Sequence, residues 1–406
     1  MPVSSPYPLV SIEYALASIL AHSPLLPVVQ TPLTEALGCV LAADVVAPTP
    51  MPPFPASAKD GYAVIASDTS PRRRLIGEQM AGHIGGLRVK PGTTVRITTG
   101  AALPEGADAV VMVEYTSEQD GWVEIETTVA LGAEIRPVGQ DIAAGQQVLE
   151  HGAVLGPAEI GLLAAVGLAQ APVHRRPRVA LLSTGDELRE PGEPLAASQI
   201  YDSNRFSLAA AVALAGGIPF HFGIAIDAPE ALETFLARAL AAHDAVLTSG
   251  GVSMGKLDLL KPILEAHGEV HFGRVVMKPG KPVTFATVSG KPVFALPGFP
   301  VSALVSFELF VRPALRKMQG DRQWRRPRLQ VVLAHAIEHD PQRTEFQRAA
   351  VYVESGRFLA RTTGAQGSGR LLSLVGANAL LELAPGDPLL PTGAEVTALL
   401  LQPIGV

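Results

Sequence analysis

The chain has 406 residues, 48% of them hydrophobic and 17% charged, and carries a net charge of −6 at neutral pH. That length predicts about two to four domains, and the apolar content excludes a wholly disordered chain. The negative balance argues against a general nucleic-acid binder. A single cysteine, Cys39, cannot form an internal disulfide or a thiolate metal cluster. The opening residues lack a basic and apolar leader pattern, and no apolar run is long enough to span a bilayer. The expectation is a soluble, cytoplasmic protein.

Residues 1–45 read as mostly helical: Ser11 can cap a segment Ile12–Ala21 whose apolar residues recur at helical spacing. A proline-dense connector from Pro48 to Pro55 cannot be helical. Short alternating runs such as Thr94–Thr98, Ala109–Glu114 and Trp122–Glu126 then predict a β-rich unit over 46–138. Residues 139–172 return to helix, with Pro157 in the first turn and Gly167 as C-cap.

From 173 to 321, apolar strands Val179–Leu182, Ala245–Thr248 and Pro292–Leu296 alternate with helical segments, the pattern of a doubly wound, mostly parallel α/β domain. From 322 to the end, alternating segments predict a small β barrel or sandwich.

Ligands of open α/β sheets bind beyond the carboxyl ends of the strands. Three such ends carry glycine, hydroxyl or proline turns: Ser183-Thr184-Gly185-Asp186-Glu187, Ser249-Gly250-Gly251-Val252-Ser253, and Pro297-Gly298-Phe299-Pro300. Glycines let backbone N–H groups approach an anion, and hydroxyls add donors. None is a Walker loop or a GxGxxG fingerprint. Lys278 and Lys281, three apart on a Pro-Gly loop between apolar flanks, form a cationic pair that calls for an anion. Asp60, Asp141, Glu187, Asp227 and Asp258 are carboxylates at loop positions, hard oxygen ligands suited to Mg²⁺. Histidines show no paired-ligand spacing for zinc.

These segments, together with Ser57-Ala58-Lys59-Asp60-Gly61, Thr98-Thr99-Gly100-Ala101, Gly139-Gln140-Asp141, Tyr201-Asp202-Ser203-Asn204 and Gly364-Ala365-Gln366-Gly367-Ser368, resemble the molybdopterin molybdenumtransferase family, the bacterial MoeA proteins and gephyrin E-domains. The resemblance covers nearly the whole chain. It implies a multidomain α/β protein with a molybdopterin-binding α/β domain, a β domain, a dimerisation domain (1–45 with 139–172) and a C-terminal β-barrel. It implies Mg²⁺-dependent insertion of molybdate into adenylylated molybdopterin with release of AMP. Partners would be that substrate, molybdate, a second copy of the chain, and the upstream adenylyltransferase, without nucleic acid or membrane.

Residue by residue, the resemblance gives Asp60, Asp258, Lys278 and Lys281 catalytic roles. It gives substrate contacts to Thr99, Thr184, Gly185, Ser249, Gly250, Gly251, Ser253, Pro297, Gly298, Pro300, Arg348 and Ser368. It places Mg²⁺ at Glu187, Asp227 and Asp258. The sequence departs from the family pattern at Pro55, Lys59, Gln140, Lys256 and Phe299. These departures keep open a divergent paralogue that binds or delivers finished cofactor without inserting the metal. A scaffold role, as in gephyrin, is the third reading.

Overall fold

The computed structural model describes residues 7–83, 85–226, 228–251 and 259–404. Ser11 caps the first helix, Ile12–Ala21, accepting a hydrogen bond from the Tyr14 N–H. Its buried face, Ala15 and Ile19, is one helical turn apart and joins the core that also holds Val179, Leu181 and Phe310. The helix therefore packs on the α/β unit, away from residues 139–172.

The mainly helical reading of 1–45 and 139–172 needs correction. Val28–Pro32 pairs antiparallel with Gln170–His174, which also pairs with Val40–Leu41. Only Pro157–Ala165 is helical in the second segment. Val28–Pro32 is exposed along nearly its whole length, so it has no hydrophobic alternation to announce a strand.

The β-rich unit is a six-stranded sheet in the order Ala109–Met112, Gly61–Val64, Thr93–Ile97, Arg72–Gln79, Trp122–Ile125, Thr116–Gln119. Alternation along the strands feeds two small cores. Val95, Ile97 and Val110 build one, and Tyr62, Val64, Val111 and Val123 build the other.

The α/β sheet runs Ile218–Ala225, Arg178–Thr184, Ala245–Ser249, Lys291–Leu296, Thr284–Val288, Glu269–Phe272. The first four strands are parallel, and Thr284–Val288 runs antiparallel to both its neighbours, so Glu269–Phe272 again runs with the first four. Val179, Leu181 and Leu247 face one side, covered by Ile12–Ala21 and Asn204–Leu214. Ala180, Leu182 and Val246 face the other, covered by Pro229–Ala242 and Leu260–His267. The chain leaves Arg178–Thr184 toward one edge and returns to Ala245–Ser249 on the other side of it. The carboxyl ends of those two strands thus form the topological switch point, where a crevice opens.

The C-terminal unit is a closed five-stranded barrel: Thr344–Glu354, Arg357–Thr362, Arg328–Leu333, Glu395–Leu400 and Ala379–Leu383, which pairs back to the first. Val331, Ala349, Val351 and Leu381 share its core, whereas Phe346, Leu380 and Leu399 belong to the α/β core. Met277–Lys278 adds to this barrel in parallel with Thr344 and Glu345. Among the described residues no helix is long and apolar enough to cross a membrane.

Candidate functional site

At the switch point the loops after the two central strands are pressed together. Gly250 and Gly251 have φ of +88° and +70°. A Cβ on Gly250 would stand 2.3 Å from the Thr184 carbonyl oxygen, so both conformation and space demand glycine. Gly250 N–H donates to the Leu296 carbonyl at 3.1 Å, tying this loop to the strand that leads into Pro297-Gly298. Gly298 faces it: a Cβ there would reach only ordinary contact, 3.7 Å from the Gly250 Cα. Thr184, Gly185, Ser249, Gly250, Gly251, Pro297 and Gly298 therefore form one cradle.

A buried polar network supports it from behind. Ser183 Oγ donates to Asp202 Oδ1 at 2.9 Å and lies 3.2 Å from Ser249 Oγ. Asp202 in turn receives the Arg205 backbone N–H and Nε, and Arg205 reaches Glu190. Asn204 Nδ2 donates to the Gly298 carbonyl at 2.7 Å. Thr184 Oγ1 and Asn204 Oδ1 are buried without partners. Asn204, Asp202 and Arg205 lie in or beside a segment that stood out in the sequence, but residue type alone gave them no role.

Pro300 opens the short helix Pro300–Ser306, and the Val301 N–H is spent on the Ser368 carbonyl at 3.0 Å. Ser368 reaches this turn through its backbone, docking the barrel loop onto it. Phe299 is 63% exposed beside this junction, with Gly369 against its ring.

The lysine pair divides. Lys278 Nζ is 3.1 Å from Glu345 Oε2, so the anion this lysine calls for is supplied in part by the chain itself. Glu345 is further held by the Asp340 N–H at 2.7 Å and by Gln347 Nε2 at 3.3 Å. Lys278, Glu345 and Gln347 line a cavity of about 500 Å³ at the barrel mouth, with His335, His339 and Gln366. Lys281 makes no side-chain bond or ion pair among the described residues, and its carbonyl accepts from the Val275 N–H. The loop between the lysines is pressed on the helix Pro300–Ser306, since a Cβ on Gly280 would meet Ser306 Oγ at 2.6 Å.

Arg348 stands on the opposite face of the strand from Glu345 and Gln347, as alternation requires. It is 0% exposed. Its Nε donates to Ser373 Oγ at 3.0 Å and Nη2 to the Gly367 carbonyl at 3.3 Å, while Nη1 is unpartnered. Burial pulls its pKa down to about 10, opposed by Glu345. In this conformation Arg348 braces the loop carrying Ser368 and does not join Lys278. The two-residue periodicity of Thr344-Glu345-Phe346-Gln347-Arg348 puts Glu345 on the face away from Arg348, but nothing near it in sequence marks it as the partner of Lys278.

Asp60 and Thr99 sit on the separate β-rich sheet. Thr99 donates its backbone N–H and its hydroxyl to Asp60 Oδ1, at 2.7 and 3.0 Å. These bonds hold the exposed Asp60 carboxyl below its ordinary range. Neither residue touches the cradle. Glu187 is exposed at the cradle's edge, folded back so that a Cβ on Gly185 would meet its carboxylate at 2.7 Å. Asp227, Ser253, Lys256 and Asp258 lie outside the described residues. Among the described residues no group of three His, Cys, Asp or Glu could hold a metal ion.

Three families match in series: MoeA N-terminal region (domain I and II) over residues 10–167, probable molybdopterin binding domain over 180–317, and MoeA C-terminal region (domain IV) over 330–401. Molybdopterin molybdenumtransferase 2 of Mycobacterium tuberculosis is 41% identical, covering 87% of this chain and 90% of its own length. The chain belongs to the molybdopterin molybdenumtransferase family. A family member from Haemophilus influenzae is 37% identical over 90% of this chain and 92% of its own. Gephyrin of Dictyostelium discoideum is 39% identical over 92% of the chain, which spans only 59% of that protein. Among solved structures, a molybdopterin biosynthesis MoeA protein of Pyrococcus horikoshii superposes with a TM-score of 0.80 at 31% identity, covering 97% of this chain and all of that one. The family's multidomain α/β architecture, with its molybdopterin-binding domain and C-terminal barrel, is thus present throughout.

Proposed function

We propose that this protein inserts molybdate into adenylylated molybdopterin, releasing AMP, in the synthesis of molybdenum cofactor. The observation that carries the reading is the glycine cradle of Thr184, Gly250, Gly251 and Gly298 at the switch point of the domain that matches the molybdopterin-binding family. Relatives at 37–41% identity bear the name molybdopterin molybdenumtransferase.

The cradle binds the substrate, with Ser253 from the adjoining segment. Lys281 offers an unpaired ammonium to molybdate, and Lys278 shares its charge between Glu345 and the oxyanion. Arg348 acts indirectly, by fixing the Gly367–Ser368 backbone against the Pro297–Pro300 turn. Glu187 fits a hard cation, because its exposed carboxylate has no bond or ion-pair partner among the described residues. With Asp227 and Asp258 it would hold Mg²⁺, which when bound offsets phosphate charge. Asp60 and Thr99, remote from the cradle of their own chain, complete the cleft of a second copy in a cytoplasmic homodimer.

The second reading, a paralogue that only binds finished cofactor, is favoured by Phe299, an exposed apolar ring beside the cradle. One assay separates them: purified protein with adenylylated molybdopterin, molybdate and Mg²⁺, following AMP release and cofactor formation. Stoichiometric AMP with active cofactor supports insertion. Tight cofactor binding without AMP release supports the carrier.

A further inference from the structure

The segment Tyr201-Asp202-Ser203-Asn204 stands out in the sequence, and Asp202 is fully employed behind the cradle. Asn204 is not. It opens the helix Asn204–Leu214 and is 9% exposed. Its Nδ2 donates to the Gly298 carbonyl at 2.7 Å, and this bond orients the amide. The flipped amide would set two oxygens against each other. Oδ1 is left as the free end, buried and without a donor. Native proteins keep few such groups, and each asks for an explanation. The same side chain holds Gly298, whose open face meets Gly250 across the cradle.

The geometry points to Asn204 as a specificity-determining residue whose Oδ1 accepts a hydrogen bond from the amino group of a flat heterocycle seated in the cradle. This rests on the functional reading above. At neutral pH a phosphate group presents acceptor oxygens, which an amide oxygen repels. An amino-bearing ring brings the N–H that Oδ1 lacks. Gly250 and Gly251 are glycines because of their fit against Thr184, whereas Gly298 has only the Gly250 Cα within 4 Å of where a Cβ would stand, which leaves its backbone open to close approach by a planar ring. The proposed substrate carries two rings of this chemistry, the pterin and the adenine.

The test compares binding to the purified full chain, by calorimetry, of pterin against lumazine and of AMP against IMP. In each pair an oxo group replaces the amino group, turning a donor into an acceptor that faces Oδ1. Wild type should favour the amino member of one pair by about tenfold or more, and the pair that shows it assigns the ring. Asn204→Leu should bring that preference to roughly one. A preference that survives in Asn204→Leu, or none in wild type, overturns the assignment and leaves the functional reading standing. If none of the four ligands binds, the functional reading falls and the assignment with it. Should Asn204→Leu not fold, Gly298→Ala carries the test. Its methyl meets only ordinary contact within the protein, 3.7 Å from the Gly250 Cα, and in the proposed pose it would stand between the ring and the cradle floor. Undiminished preference in that variant overturns the proposal.

Discussion

Lys278 Nζ lies 3.1 Å from Glu345 Oε2, a contact between a lysine whose side chain is 41% exposed and a carboxylate that is 3% exposed. The pair is asymmetric. The lysine can turn to water, whereas the carboxylate cannot. Glu345→Gln should therefore leave stability within about 1 kcal/mol, because it removes a buried charge, its amide oxygen still accepts from the Asp340 N–H, and Gln347 Nε2 keeps the Glu338 carbonyl as acceptor. It also removes the competitor for the ammonium. Molybdate should raise the melting temperature of Glu345→Gln by more than it raises that of wild type. An equal rise would show that Glu345 and molybdate do not compete for Lys278.

Lys278→Gln should behave differently. It leaves the Glu345 carboxylate buried and short of its partner, at a cost of about 1–3 kcal/mol. Lys281→Gln breaks no ion pair and should melt with wild type. Comparing molybdate-induced melting shifts in the two single variants separates oxyanion binding from stability. A full shift in Lys281→Gln excludes that lysine from the oxyanion site.

Gly250→Ala should lose both conformation and space. The positive φ costs about 1–2 kcal/mol for an L-residue, and the added carbon collides with the Thr184 carbonyl. Chemical denaturation should show the stability loss, and calorimetry should show loss of molybdopterin binding. Phe299→Asn is the contrast. An exposed ring contributes little, so stability should stay within about 0.5 kcal/mol while affinity for molybdopterin changes. Identical affinity in both forms would place residue 299 outside the substrate's reach.

The Asp60 carboxyl titrates below its ordinary value because the Thr99 backbone N–H and hydroxyl bond its charged form. A depressed folded pKa contributes stability above the unfolded pKa and loses it as pH falls through the folded one. Thr99→Val removes the hydroxyl and should move the Asp60 titration upward, read by carboxyl NMR shifts. An unmoved titration would mean that the backbone N–H alone sets it.

If Asp60 serves the neighbouring cleft, each site draws residues from two chains. Asp60→Ala and Lys281→Ala should each abolish insertion as homodimers. Co-expressed, they should recover part of it, because one cleft of the mixed dimer keeps both residues. No recovery, with mixed dimers shown by mass spectrometry, would put Asp60 in the cleft of its own chain.

The parallel strands and their glycine turns were legible because long apolar runs ending in Gly-Gly or Pro-Gly have few other uses. The helix Pro229–Ala242, at 14 residues, has the length and period that make a helix legible in the same way. Ile218–Ala225 went unread, since Pro219, His221 and Gly223 interrupt an edge strand that is only half-buried. The site was harder. Lys278 was legible as a cation needing an anion, but Glu345 is 67 residues away along the chain, and their pairing depends on a strand register that distant sequence does not display. Arg348 shows the converse. The family resemblance suggested a ligand contact, whereas its side chain is buried against Ser373 and the Gly367 carbonyl.

Because Met277–Lys278 pairs with Thr344 and Glu345, the lysine belongs by backbone bonding to the barrel and by covalent order to the α/β unit. The two units are therefore not interchangeable modules. A chain cut near residue 327 would keep every residue of the glycine cradle. It would lose the strand that seats Lys278, the carboxylate that pairs with it, and Phe346 from the α/β core. A chimera carrying a relative's barrel would inherit the cradle from one parent and the setting of its cationic loop from the other.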